Sequence, residues 1–162
     1  MGVESRAKDC WSIALREHLD EEYWKFCWAQ TGMLSASSQH RIIHLKYLHQ
    51  VYYNPVRLCR VGLLDTDQCD KCVSEVADFL HLVWGCSAVA AFWEEAAKGL
   101  AEMVGFDLGL SPKIGQLSGV KHYPKHYRRL LALALLMANR QIACRWGKGG
   151  APKFKQWLTD LM

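Results

Sequence analysis

Three cysteines and one histidine in the middle of the chain have the spacing of a metal site. Two residues separate Cys69 from Cys72, eight separate Cys72 from His81 and four separate His81 from Cys86, which gives C-x2-C-x8-H-x4-C. Thiolates and imidazoles in this number are the ligands of structural, tetrahedral zinc. We therefore expect Cys69, Cys72, His81 and Cys86 to bind one zinc ion in a closed site that stabilises the fold.

The same four residues could also be unrelated to one another or form a redox site. The chain has seven cysteines and seven histidines, so four of them could occur near one another without sharing a ligand. A C-x-x-C pair can be a redox site, but redox pairs accompany a βαβ pattern, and none surrounds Cys69. Zinc accounts for the spaced H-x4-C as well as for the first pair.

The local sequence indicates how these ligands would be positioned. The first cysteine pair can lie in a tight turn, and residues 76–84 predict a short helix that carries His81, with Ser74 as its N-cap. Gly85 would end that helix, so that Cys86 can turn back toward the other ligands.

The rest of the chain predicts further helices. Apolar residues recur about every 3.6 residues, and no segment alternates convincingly as a strand. We therefore expect an all-α fold, a compact helical domain with one CCHC zinc site. The predicted helices cover residues 6–19, 21–30, 39–51, 55–61, 76–84, 87–104 and 124–146, followed by a last helix that Pro152 opens.

The glycines, serines and prolines of residues 105–123 predict a loop. We therefore divide the chain into three parts. Residues 1–104 form a helical part that carries the zinc module at 69–86, residues 105–123 form the loop, and residues 124–162 form C-terminal helices that pack on the first part.

A second pair of possible ligands lies in the helix predicted for residues 39–51. His40 and His44 are four residues apart, as two ligands on one helical face would be. No further ligand converges on them in the sequence. We expect instead an exposed polar face that they share with Arg41 and Lys46.

Composition restricts the class of protein. Of the 162 residues 51% are hydrophobic and seven are tryptophan, which excludes a disordered chain. The longest apolar run, residues 130–138, is shorter than the about 20 residues of a membrane span, and the charged N-terminal residues do not form a signal peptide. An odd number of cysteines suits a reducing compartment. We expect a soluble, intracellular protein with no membrane partner; nucleus and cytoplasm are not distinguished.

The formal net charge of +4 conceals alternating blocks of charge. Residues 1–22 sum to -3, 23–64 to +5, 65–107 to -7 and 108–162 to +9, and residues 23–64 and 108–159 contain no Asp or Glu. Long acid-free blocks with Tyr, Trp and Arg are typical of phosphate-binding surfaces, whereas the zinc module is acidic. We expect RNA or DNA to bind through its backbone phosphates to Arg41, Lys46, Arg57, Arg60, Lys121, Lys125, Arg128 and Arg129.

Tyrosines in or beside these blocks could stack on unpaired bases. The candidates are Tyr47, Tyr52, Tyr53 and Tyr123. For Tyr47 and Tyr52 a place in the apolar core is favoured over stacking.

Several segments together resemble the C-terminal zinc-binding region of reverse transcriptases of long interspersed elements, the non-LTR retrotransposons. The resemblance covers nearly the whole chain. It departs from the family at Asp70 and Ser87, where proline commonly follows the first and last ligand cysteines. The matching segments are YNPVRLCR at 53–60, the four zinc ligands, DFLHLVWGC at 78–86, Phe92-Trp93, Arg145-Trp146, Ala151-Pro152 and Trp157-Leu158.

The resemblance implies a region that helps to engage RNA or DNA during target-primed reverse transcription. The aspartate pair with which a polymerase holds two metal ions is missing, so we expect no enzymatic activity. The competing hypothesis is a fragment that packs on a reverse-transcriptase domain as a protein-interaction or scaffold part and has no independent function. It requires an exposed apolar patch in place of a basic surface.

Overall fold

The structure is a computed structural model that describes residues 2–34, 37–73 and 75–162. These residues are predominantly helical, and their β-structure is limited to an isolated antiparallel bridge between Gln68 and Val76. The all-α prediction is confirmed. In chain order the helices are α1 (Val3–Leu15), α2 (Glu21–Met33), α3 (Ser38–Leu48), α4 (Pro55–Arg60), α5 (Ser87–Val104), α6 (Pro112–Leu117), α7 (Lys125–Cys144) and α8 (Phe154–Leu161), with a π-helical turn at His81–Gly85 and a 3₁₀ turn at Val120–His122.

The chain forms two compact units, and each unit combines two separate stretches of sequence. Unit 1 contains the residues up to Val51 together with Leu110–Asn139, and unit 2 contains Tyr52–Gly109 and Arg140–Met162. The predicted parts 1–104, 105–123 and 124–162 follow chain order, whereas the units group residues by contact.

Unit 1 is organised around fully buried aromatic side chains whose polar atoms are satisfied by backbone. Trp11 of α1 donates its indole N–H to the carbonyl oxygen of Leu48 at 3.0 Å, and the Tyr47 hydroxyl donates to the carbonyl oxygen of Asn139 at 2.9 Å. The Asn139 amide in turn donates to the Gly115 carbonyl at 2.9 Å. These bonds join α1, α3, α6 and α7 within the unit.

One face of α3 differs from the prediction. His44 is only 1% exposed, whereas Ile42, which an amphipathic pattern would bury, is 49% exposed. The His44 Nε2 atom lies 3.1 Å from the Cys27 carbonyl oxygen, and burial lowers the pKa of the imidazole. The prediction that His44 lies on a solvated face is therefore wrong, because a backbone carbonyl of α2 offers this ring a hydrogen bond in the core.

The segment predicted as a loop contains helical structure. α6 and the 3₁₀ turn both lie within residues 105–123. The Ser111 hydroxyl accepts a hydrogen bond from the Ile114 amide at 3.4 Å, and Pro112 occupies the first turn of α6. Serine and proline, which suggested a loop, are here the cap and the first residue of a short helix.

Unit 2 has its core along α5. Its buried stripe contacts the end of the chain, since the Phe92 and Trp157 rings meet edge to face with centroids 6.4 Å apart. The Trp93 indole donates to the Val83 carbonyl at 2.8 Å, which joins α5 to the turn that carries His81. In α8 the Asp160 carboxylate accepts a hydrogen bond from Arg140 at 2.9 Å.

α7, with 20 residues, is largely buried along its middle. Even so, none of the described helices combines the length and the apolarity that a membrane crossing requires.

Candidate metal centre

The first two candidate ligands lie in a tight turn, as predicted. The Val73 amide donates to the Cys69 carbonyl at 2.9 Å and closes a turn around Cys72. On either side of this turn Gln68 and Val76 form the antiparallel bridge. The short hairpin directs both thiols to one side. Ser74, the predicted N-cap, lies outside the described residues.

The second pair of ligands lies on a turn that begins later than predicted. Helical structure starts at Phe79, and the Asp78 carboxylate caps it by accepting from the His81 amide at 2.7 Å. Residues 76–84 therefore do not form one helix, because Val76 belongs to the hairpin. A π-helical bond from the Cys86 amide to the His81 carbonyl at 2.7 Å brings the last ligand back.

These two turns place four ligand atoms in one cluster. The Sγ and imidazole nitrogen atoms of Cys69, Cys72, His81 and Cys86 all lie within 4.8 Å of one another. The Cys69 and Cys86 sulfurs are 3.7 Å apart, and the Cys72 sulfur is 3.4 Å from Nε2 of His81. These residues could therefore hold a metal ion.

The separations fit a tetrahedral ion and exclude a disulfide. Zn–S bonds of about 2.3 Å and a Zn–N bond of about 2.0–2.1 Å at tetrahedral angles place two sulfurs about 3.8 Å apart and a sulfur and a nitrogen about 3.6 Å apart. A disulfide would instead need about 2.05 Å. The measured 3.7 Å and 3.4 Å are close to the tetrahedral edges.

Burial makes the protonation of the cluster depend on whether a cation is bound. Cys69, His81 and Cys86 are buried. Burial, assisted by the neighbouring Cys69 and Cys72 sulfurs, raises the pKa of the Cys86 thiol to about 11. Three sulfurs this close can all be thiolates when a divalent ion lies among them, so metal uptake must release protons.

A carboxylate outside the quartet orients the imidazole. The Oε2 atom of Glu75 lies 3.2 Å from Nδ1 of His81. An N–H on Nδ1 can donate to this carboxylate, which leaves the lone pair of Nε2 for a metal. Nε2 is the nitrogen that faces the sulfurs. Sequence reasoning missed Glu75, since only the hairpin brings it to the ring.

Replacing Glu75 with alanine is expected to weaken metal binding about tenfold, because the imidazole loses the partner that fixes its tautomer. Glu75→Gln should bind more tightly than Glu75→Ala, since its amide oxygen can still accept from Nδ1. Competition with a chromophoric chelator measures both affinities. The control is Asp70→Ala, which removes a carboxylate of the same turn that does not contact His81. If this variant loses as much metal affinity, Glu75 acts only through its negative charge and not through its contact with the imidazole.

The residues predicted to contact nucleic acid lie in both units. Arg41, Lys125 and Arg129 are exposed in unit 1, and so is Lys46; Arg57 is half-buried and Arg60 exposed on α4 of unit 2. The contacts of two other predicted cations are defined. Lys121 pairs with Glu22, and Arg128 donates through Nε to the Tyr123 carbonyl at 2.8 Å.

The predicted stacking tyrosines differ in exposure. Tyr47 is fully buried, so it is a core residue. Tyr52 is half-buried with its ring centroid 5.1 Å from that of Trp146. Tyr53 is 68% exposed, and Tyr123 is half-buried. Tyr53 is thus the most accessible of the four.

Sequence reasoning also missed a groove in unit 1. It has a volume of about 510 Å³, and its lining combines apolar side chains of α2 with cations at the start of α7. Phe26 lies in the middle of α2 and is partly exposed in the structure, but the sequence alone does not show that exposure. The lining residues are Phe26, Gln30, Met33, Leu34, Lys125, Arg128 and Arg129.

Comparison with known proteins does not assign the chain to a family. No protein-family model matches the sequence, and no curated protein matches it significantly. The resemblance to the retrotransposon region therefore stays a prediction that depends on the matching segments alone.

Proposed function

We propose that the chain is a non-catalytic nucleic-acid-binding module that one zinc ion stabilises. The observation that carries the zinc part is the quartet, whose four ligand atoms lie within 4.8 Å of one another and include two pairs, at 3.7 Å and 3.4 Å, close to tetrahedral edge lengths. Three thiolates and one imidazole are soft ligands, which suit zinc and exclude magnesium or calcium.

The chemistry of the quartet supports a structural role for that ion. Four protein ligands complete a tetrahedron and leave no position for a water or a substrate. Cys86 is both a ligand and the N-cap residue of α5, and its carbonyl accepts from the Val89 and Ala90 amides at 2.8 Å. Zinc would thus fix the start of the helix that carries the core of unit 2.

The distribution of charge supports nucleic acid as the partner. Residues 23–64 and 108–159 hold no acidic residue, and phosphate affinity arises from Lys and Arg that release counterions. The hairpin and the cap that follows it, in contrast, expose Asp70, Glu75 and Asp78. Basic residues outside the metal centre would therefore contact the phosphates. The resemblance to a retrotransposon reverse-transcriptase tail supports the same partner.

Replacing Arg57 and Arg60 with alanine is expected to weaken binding to single-stranded RNA or duplex DNA and to flatten its salt dependence. Each lost phosphate contact removes roughly 0.7 from the slope of log K against log salt on single strands and roughly 0.9 on duplex DNA. Fluorescence anisotropy at two salt concentrations measures this slope, with metal content determined in parallel. Lys71→Ala, a change of charge inside the hairpin, should have little effect. Greater damage from Lys71→Ala would show that the hairpin itself contacts the strand.

An exposed apolar surface in unit 2 favours a second candidate, a protein-interaction part. Tyr53, Val61 and Leu63 are 65–71% exposed and Leu64 is 41% exposed. Tyr53 and Leu64 also line a groove of about 530 Å³. A reverse-transcriptase domain is the partner that the resemblance implies. Calorimetric titration of such a purified domain with the wild-type chain and with Leu63→Ser tests this candidate, which expects weaker binding by the variant. The candidate is favoured over the first proposal if the wild-type chain binds this domain but no nucleic acid.

A further inference from the structure

The groove of unit 1 combines an apolar surface with a basic one. One wall is apolar. It contains Phe26 and Met33 of α2 and Leu34, the residue after α2. The rest of the lining includes Lys125, Arg128 and Arg129 from the start of α7. Its volume of about 510 Å³ lies within the about 300–1,000 Å³ of small-molecule sites.

Among the described residues, no carboxylate forms an ion pair with the cations of this groove. Three of the acidic side chains of unit 1, Glu17, Glu21 and Glu22, pair with lysines outside the groove lining, namely Lys113, Lys8 and Lys121. Within the part of the chain that the structure describes, no ion pair includes Lys125, Arg128 or Arg129. The groove lining likewise contains no Asp or Glu among the described residues.

The position of these cations on their helix is unfavourable for the isolated chain. The N-terminus of a helix carries a partial positive charge, so acids stabilise the first turn and bases destabilise it. The first turn of α7 has no acid and includes Lys125 and Arg128. A bound anion would remove this repulsion and would also be attracted to the same end of the helix.

The apolar wall restricts the kind of anion. Met33 is 73% exposed and Phe26 is partly exposed, so the ligand must offer a flat apolar surface to them as well as negative charge to α7. Gln30 adds an amide to the lining of the groove. A nucleotide with an unstacked base has both features, whereas a base inside a duplex keeps its faces covered by its neighbours.

From this combination we propose that the groove binds an unpaired nucleotide of a single-stranded nucleic acid, with the base against Phe26 and the adjoining phosphates on Lys125, Arg128 and Arg129. The proposal rests on the proposed function and deepens it, since it names single strands as the preferred form and locates the contact in unit 1.

The test is an anisotropy titration of the zinc-loaded full chain with a short unstructured single strand, made as RNA and as DNA, and with the corresponding duplex. Phe26→Leu keeps an apolar side chain but removes the stacking surface. It should weaken single-strand binding roughly fivefold or more and leave duplex binding unchanged. Lys125→Gln combined with Arg129→Gln should reduce the single-strand salt slope by roughly 1.4, the value for two phosphate contacts.

A matched variant controls for net charge. Lys8→Gln combined with Lys113→Gln removes the same two charges from unit 1, but at lysines that already pair with Glu21 and Glu17. It should change the salt slope little. Thermal melting checks the fold, and the Lys125 and Arg129 double variant should melt at the wild-type temperature or above it, because it removes a cation from the N-terminus of α7.

Three results would overturn the proposal. They are equal losses for the two double variants, a Phe26→Leu chain that binds single strands as wild type does, and inorganic polyphosphate that binds as tightly as the single strand, since polyphosphate has no bases. Failure of the proposed function gives a different result, in which the wild-type chain binds none of the nucleic acids at either salt concentration.

Discussion

Replacing Cys69 with serine is expected to abolish metal binding and to unfold the segment that carries the ligands. A serine hydroxyl stays protonated at neutral pH, so the quartet loses one thiolate and its tetrahedron becomes incomplete. Apparent zinc-binding free energies of about 10–16 kcal/mol in zinc-finger peptides set the scale of the loss. Because Cys86 caps α5, the start of that helix should lose order together with the hairpin.

The measurement is metal analysis of the purified chain, with hydrogen exchange of the backbone amides. Wild type should carry one zinc per chain, and Cys69→Ser none. A strong chelator should reproduce the exchange pattern of the variant in the wild-type chain. Cys144→Ser, which removes an exposed thiol of α7, is the matched control and should keep its zinc. Unchanged metal content in Cys69→Ser would exclude the quartet as the site.

Replacing Trp157 with alanine is expected to destabilise unit 2 by about 3–5 kcal/mol, the cost of truncating a fully buried tryptophan. The side chain is 0% exposed and lies against two aromatic rings. Its ring centroid is 6.4 Å from that of Phe92 and 5.4 Å from that of Phe154. Truncation would leave a cavity between α5 and α8, because these rings cannot move far enough to fill it.

Chemical denaturation of the zinc-loaded protein measures this loss, and hydrogen exchange in α5 and α8 assigns it to unit 2. Trp157→Phe should cost less, since it keeps an aromatic ring. Lys155→Ala changes an exposed residue of the same helix and should stay within about 0.5 kcal/mol of wild type. A Trp157→Ala chain as stable as wild type would contradict the packing of α8 on α5.

The predictions that agree with the structure depend on signals between residues close in sequence. The Asn54 side chain accepts from the Arg57 amide at 3.0 Å and Pro55 opens α4, as the sequence indicated. α5 covers the predicted residues 87–104, and Gly105 follows it with a φ of 81°. The four candidate ligands lie within residues 69–86 and come together in the structure. In each case the interacting groups are near enough in sequence for their spacing to specify the contact.

The features that the sequence did not reveal depend on partners that the local pattern does not contain. His44 is buried because the Cys27 carbonyl of another helix faces it, and no periodicity within α3 carries that information. The groove is lined by residues of both α2 and α7, so neither segment alone indicates it. Glu75 was missed for a related reason. Its contact with His81 exists only when the hairpin has formed, and in the sequence it is one acidic residue among sixteen.

The two interleaved units also have a consequence for the order in which the protein can fold during synthesis. Unit 1 is complete only when Asn139 has left the ribosome, and unit 2 waits for α8, with residues 110–139 inserted between its two stretches. The candidate metal ligands can come together before either unit is complete, since residues 69–86 span a short loop whose closure costs little entropy. Once Cys86 has emerged, zinc capture could order the first stretch of unit 2. The apolar face of α5 in that stretch would then stay exposed until Trp157, a fully buried residue of α8, has been synthesised.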